Sequence, residues 1–112
     1  VNTATPRTEW HTAHYILRRV ATHYGYTVNE LLADNQTLPL REHRQIAMYM
    51  CREYTDLSYP NLGDLFRRHH TSVLHSIQMT EKSRSKRLKA EVSHIDTIIR
   101  AALSVARGSI PA

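Results

Sequence analysis

Glycine is nearly missing from this chain: three residues in 112, at Gly25, Gly63 and Gly108. A fold that closes through repeated tight glycine turns is thereby disfavoured. Cysteine is rarer still. Cys51 stands alone, which removes an intramolecular disulfide framework and any thiolate-rich zinc site, and suits a reducing cytoplasm. No apolar run approaches the roughly 18–20 residues of a bilayer-crossing helix, so no membrane partner is expected. No charged-then-apolar leader precedes a small-residue cleavage site, so no secretory signal is expected either. A glycine-rich phosphate loop is absent, and no nucleotide is expected to bind this chain.

Anions are scarce in one window. From Leu65 to Ala90 there are seven cations and a single anion, Glu81, whereas the remainder carries eight cations and nine anions. The chain's net charge of +5 and pI near 9.7 therefore arise locally. A basic stripe on a neutral background is the footprint of a polyphosphate partner. A solvated charged face has the same composition, so charge alone does not decide.

Helix signals dominate what is present, and strand-type alternation is nearly absent. The sequence predicts a lead-in over 1–7, one helical domain over 8–106 and a tail over 107–112. From Thr8, the residues Ala13, Ile16, Leu17, Val20, Ala21 and Tyr24 recur at helical spacing, and Gly25 supplies a C-cap. Thr27 with Glu30 forms a capping box for a short helix carrying Leu31 and Leu32. A polar connection over Ala33–Pro39 precedes a longer helix from Leu40 to Asp56, with Ile46, Ala47, Met50, Tyr54 and Leu57 on one face. Ser58 is the N-cap of the next helix, with Pro60 in its first turn, where a missing amide costs little. Leu62, Leu65 and Phe66 form that helix's buried side. A turn at Arg67–Arg68 leads to a helix over His69–Ser83 whose inward face is Val73, Leu74 and Ile77. The basic stretch Ser83–Arg87 interrupts the pattern. A last helix, Leu88–Val105, is expected to bury Val92, Ile95, Ile99, Ala102 and Leu103. The expected fold is all-α, with about six helices.

The stretch LFRRHHTSVLHSI, residues 65–77, gathers two arginines, two histidines, a threonine and a serine at consecutive positions. A short helix, a tight turn and a second helix form a helix-turn-helix pattern. In that motif the first turn of the second helix meets base edges in the major groove. His69, His70, Thr71 and Ser72 occupy that turn and are polar groups able to donate or accept there. Arg67 and Arg68 precede them, in reach of the phosphate backbone. The plainer alternative is that Thr71 or Ser72 only caps the helix while the histidines are solvated. For Thr71 alone the two readings balance; for the cluster beside a basic turn, DNA contact is the better account. The run KSRSKRLK, Lys82–Lys89, reads first as a solvated loop and second as a source of phosphate contacts, beginning with Lys82.

Other chemistries find little support. Among the eight histidines, His70 and His75 are five apart and His11 and His14 three apart, without the Glu and i, i+4 partner of a metalloprotease helix. No set of four ligands can be assembled, so no metal or other cofactor is expected. Cys51 lies in an apolar helix, where a small buried hydrophobe is the default. No catalytic constellation is present. Trp10 and Tyr15 read as packing residues, because the basic window holds only Phe66, on a buried face, and so lacks the interleaved aromatics of a single-strand reader.

The segments RQIAMYMCREYTDLSYPNLGDLF and RRHHTSVLHSI carry a more specific signal. They resemble the C-terminal DNA-binding domain, domain IV, of the bacterial replication initiator DnaA. That family has an Arg-Gln, apolar, Ala-Met run, then Leu-Ser-x-x-x-(Ile/Leu)-Gly, then Arg-Asp-His-Thr-Thr-Val. The matching residues are Arg44, Gln45, Ala47, Met48, Leu57, Ser58, Leu62, Gly63, Phe66, Arg68, His70, Thr71, Val73 and His75, and the likeness spans roughly Thr12 to Leu103. The resemblance implies a Trp-repressor-like helical domain that reads the DnaA box in double-stranded DNA. It implies base or phosphate contacts by His70, Thr71 and Ser72, and phosphate contacts near Arg44, Gln45, Arg52, Pro60, Arg68 and His75. Two departures stand out. The signature aspartate is replaced by His69, after a turn one residue shorter. An aspartate only accepts hydrogen bonds, whereas a histidine can donate. The family's basic loop, with an arginine for the minor groove, is replaced by ADNQTLPL, Ala33–Leu40. Leu38 stands where that arginine would sit, and Arg41 is the nearby cation at the helix start.

The leading expectation is sequence-selective duplex binding of the DnaA-box type at the bacterial nucleoid, in transcriptional regulation or control of replication initiation. The 112 residues hold no ATPase domain, and the altered contacts favour a stand-alone regulator over a fragment of the initiator. The second expectation is a degenerate DnaA-like module that binds a regulatory protein and holds DNA only non-specifically. An enzyme ranks last.

Overall fold

A computed structural model describes residues 7–106; the expected lead and tail otherwise lie outside the described residues. Six α-helices follow one another: α1 Arg7–Tyr24, α2 Val28–Leu32, α3 Leu40–Tyr54, α4 Tyr59–Phe66, α5 His70–Lys82 and α6 Lys86–Ala106. The all-α, six-helix expectation is met. Helix α3 is central and packs against each of the other five. Its fully buried residues Ile46, Ala47, Met50 and Cys51 meet Ala13, Ile16, Leu17, Val20 and Ala21 of α1 in the same core. Val73 and Ile77 bring in α5; Ile95, Ile99 and Leu103 bring in α6. Each fully buried leucine-class side chain contributes about 1.5–3 kcal/mol relative to exposure. Trp10 and Tyr15 pack against this core, as expected.

The helix ends follow local chemistry. At Thr27, the hydroxyl accepts from the Glu30 amide at 3.0 Å while the Glu30 carboxylate accepts from the Thr27 amide at 2.8 Å. Gly25, at φ 83°, closes α1 through Tyr26 N–H to Ala21 O at 2.8 Å and Gly25 N–H to Thr22 O at 3.1 Å. This paired pattern is the Schellman stop that favours glycine. Ser58 caps α4 by accepting from Asn61 N–H at 3.2 Å.

Four details depart from expectation. Helix α3 stops at Tyr54, because Thr55 turns extended and its hydroxyl bonds back to Cys51 O at 2.7 Å. Leu57 is fully buried, but from the connection after α3. Helix α6 starts at Lys86, two residues early, because Ser85 Oγ accepts from Leu88 N–H at 3.1 Å. Leu74, Val92 and Ala102 are only half-buried.

Polar ties supplement the apolar seat of α6. The Tyr24 hydroxyl bonds to Glu91, the Tyr54 hydroxyl donates to Asp96 at 2.5 Å, and Arg87 grips both carboxylate oxygens of Glu42 at 3.0 and 2.6 Å.

Candidate nucleic-acid interface

Helix α4 ends on a second Schellman stop, and here the left-handed position is an arginine. Arg67 sits at φ 59°, ψ 41°, with its amide on Asp64 O at 3.3 Å and the Arg68 amide on Gly63 O at 2.9 Å. An L-residue in this conformation costs on the order of 1–2 kcal/mol. The return is a turn short enough to bring α5 directly against α4. Gly63 makes that closeness possible. A Cβ there would lie 2.6 Å from Arg68 O and 3.1 Å from His70 N.

Helix α5 then begins with His69 as its N-cap. Its Nδ1 accepts from the Thr71 amide at 3.2 Å and also touches the Thr71 hydroxyl. Thr71 and Ser72, weighed above as caps, are instead inside the first turn. The His69 and His70 rings stack with centroids 4.4 Å apart and planes 28° apart. His69, His70, Thr71 and Ser72 are all exposed.

A groove of about 780 Å³ runs beside this helix start. Helix α5 and its preceding turn line one wall with Arg68, His69, Thr71, Ser72, His75, Ser76 and Met79. Arg41, Arg44, Gln45 and Met48 of α3 line another, with Asp34 and Gln36 from the α2–α3 connection. Gln45 is half-buried and His75 exposed. Seven of the sequence-predicted site residues therefore meet in one depression: Arg44, Gln45, Arg68, His69, Thr71, Ser72 and His75.

The structure gives two of these a different immediate task. Arg44 is 1% exposed, and its guanidinium donates to Leu31 O at 3.2 Å, Ala33 O at 3.0 Å and Asn35 O at 2.8 Å. It braces the α2–α3 connection from inside, where the sequence reading expected a residue near a phosphate. Arg68 is half-buried and donates to Leu32 O at 3.2 Å, Phe66 O at 2.9 Å and Ala33 O at 2.9 Å. Both guanidinium groups thus converge on the carbonyl of Ala33. Burial lowers the pKa of each; for Arg44 the neighbouring Arg68 lowers it further, while Asp34 opposes the shift in both. Both residues line the groove, so their charge favours anions there through space while their donors hold the loop.

The other expected contacts lie outside the groove. Arg67 is exposed and donates to Asn29 Oδ1 at 3.2 Å. Arg52 donates to Leu57 O at 2.8 Å and lies 4.2 Å over the Tyr59 ring, which fixes the start of α4, and Pro60 is exposed in that helix's first turn. Lys82 is exposed at the far end of α5, roughly 18 Å along the axis from His70 at 1.5 Å per residue.

Arg41, Gln36, Ser76 and Met79 also line the groove and were not among the predicted contacts. Helical spacing carries part of that signal: Thr71, His75 and Met79 recur every four residues, as do Ser72 and Ser76, so one face of α5 is presented. Leu38 is exposed beside this loop. Cys51 is fully buried, donates weakly to Ala13 O at 3.6 Å, and burial pushes its thiol pKa well up, as befits packing and not nucleophilic chemistry. Among the described residues, no three His, Cys, Asp or Glu side chains gather as a metal site.

The family model for the bacterial dnaA protein helix-turn-helix matches residues 13–80. The match runs from the first helix almost to the end of α5 and covers more than half of the chain; α6 lies beyond it. The chain therefore belongs to the bacterial DnaA helix-turn-helix family, and its α4–turn–α5 unit is a DNA-binding helix-turn-helix of that type.

Proposed function

We propose that the first turn of α5 reads base edges in the major groove of double-stranded DNA of the DnaA-box type. In this reading the chain acts at the bacterial nucleoid as a regulator of transcription or of replication initiation. One observation carries it: His69, His70, Thr71 and Ser72 stand exposed at the start of α5, three of them lining a groove that also holds Arg41, Arg44 and Arg68. Small polar groups supply selectivity, and surrounding cations supply affinity that is insensitive to sequence. Arg41 and Arg67, both exposed, take the direct backbone role in this reading.

The test is fluorescence anisotropy with a DnaA-box duplex and a scrambled duplex over a salt series. Affinity should fall steeply with salt for both, with the box bound more tightly throughout. Ser72→Ala should narrow the gap between the two duplexes. Arg41→Ala should weaken both alike and reduce the salt slope by about one. Equal affinity of the unmodified chain for the two duplexes at every salt concentration would defeat the proposal.

A further inference from the structure

The geometry points to a donor polarity of base readout at His69: it donates to an acceptor-bearing base edge, where an aspartate at the same position could only accept. This deepens the reading above and rests on it. A backbone amide can only donate, so the Thr71 N–H bond at 3.2 Å fixes His69 Nδ1 as an acceptor without a proton. In the neutral ring the proton is then on Nε2. The cap points Nδ1 back at the helix, and stacking on His70 restrains the ring plane. On this exposed residue the Nε2–H is the ring's other polar group. The contact between Nδ1 and the Thr71 hydroxyl extends the pattern. The turn thus offers a donor from position 69.

Base chemistry turns this polarity into a preference. On the major-groove edge, guanine offers two acceptors, N7 and O6, whereas cytosine offers only its amino donor. An aspartate selects the amino group and is repelled by guanine's acceptors. His69 does the reverse, favouring guanine and rejecting cytosine at the base it meets. The two residues share the capping task, because aspartate is among the best N-caps. His69→Asp therefore changes the readout while keeping the helix start.

Two measurements test this. Nitrogen-15 NMR of the histidine side chains in the free protein, taken where the rings are neutral, should show His69 protonated on Nε2; a proton on Nδ1 overturns the inference whatever the chain binds. Selection from random duplexes with the unmodified chain and with His69→Asp should yield sites that differ at one base pair, guanine for the former and cytosine for the latter. Swapping that pair should change relative affinity about tenfold in opposite directions, the scale of a single mismatch. Identical sites from both proteins overturn the inference alone and leave base reading by the groove intact. No enriched site from either protein overturns base reading, and the inference with it.

Discussion

Arg44 and His69 line the same groove and are opposite in how they came to light. Arg44 matched a family position expected at phosphate, yet its guanidinium is folded inward onto the carbonyls of Leu31, Ala33 and Asn35. Nothing in the residue type distinguishes the two tasks, because a guanidinium fork suits carbonyls and phosphates alike. What decides is burial, and helical spacing carries it: position 44 lies three, four and seven residues before the buried Ala47, Met48 and Cys51. Arg44→Met should cost about 2–4 kcal/mol of stability, since several buried carbonyls lose a charged donor at once. Arg44→Lys should recover only part of this, as an ammonium cannot span three carbonyls in one plane. Urea unfolding followed by circular dichroism checks both. A stability change within about 0.5 kcal/mol for Arg44→Met, with DNA binding lost, would instead return Arg44 to the phosphate backbone. His69 was legible as a departure from the family aspartate, and its capacity to donate was legible too. Its capping role was not, because the N-cap position depends on where the shortened turn closes.

At the scale of elements, the helices were readable because apolar spacing and cap chemistry agree. Thr27 with Glu30, Ser58 before Pro60, and Gly25 each mark a boundary by a mechanism local to a few residues. Boundaries slipped where the deciding contact was less conspicuous. Thr55 ends α3 by bonding to Cys51 O, and Ser85 starts α6 from inside a run that reads as a basic loop. The apposition of α4 and α5 was legible as a motif, but its tightness was not. It depends on Gly63, where even a methyl group meets the Arg68 carbonyl at 2.6 Å and the His70 amide at 3.1 Å. Both obstacles are backbone, so the turn itself must move. Gly63→Ala should cost about 1–3 kcal/mol, the scale of overpacking. It should also displace the capped start of α5, weakening binding to a selected duplex more than to a scrambled one. Thermal melting and the two affinities measure these effects; a variant of unchanged stability and unchanged discrimination contradicts the role given to Gly63.

The whole molecule rests on α3, and one polar cluster joins it to α1 and α6 at a point the sequence did not mark. His43 stacks on Tyr24 with centroids 3.5 Å apart and planes at 8°, and its Nδ1 lies 3.0 Å from the Tyr26 hydroxyl. These partners are 17 or more residues away, so their meeting is a product of helix packing that local spacing cannot report. Burial, the largest influence, lowers the pKa of His43; Glu42 and Glu91 oppose it, while His23 and Arg87 reinforce it. As pH falls through the ordinary imidazole value of about 6.5, the unfolded chain takes up a proton that folded His43 still refuses. Stability from this residue is thus complete above that pH, declines below it, and levels off once the folded value is passed. Glu42, whose pKa Arg87 lowers, loses its contribution only in the more acidic carboxylate range. Paired unfolding curves for the unmodified chain and His43→Gln, at pH 7.5 and pH 5, isolate the effect, because the two proteins differ at position 43 alone. The stability advantage of the unmodified chain should shrink at the lower pH; an advantage that stays constant or grows would show that the joint of α1, α3 and α6 does not depend on a neutral imidazole.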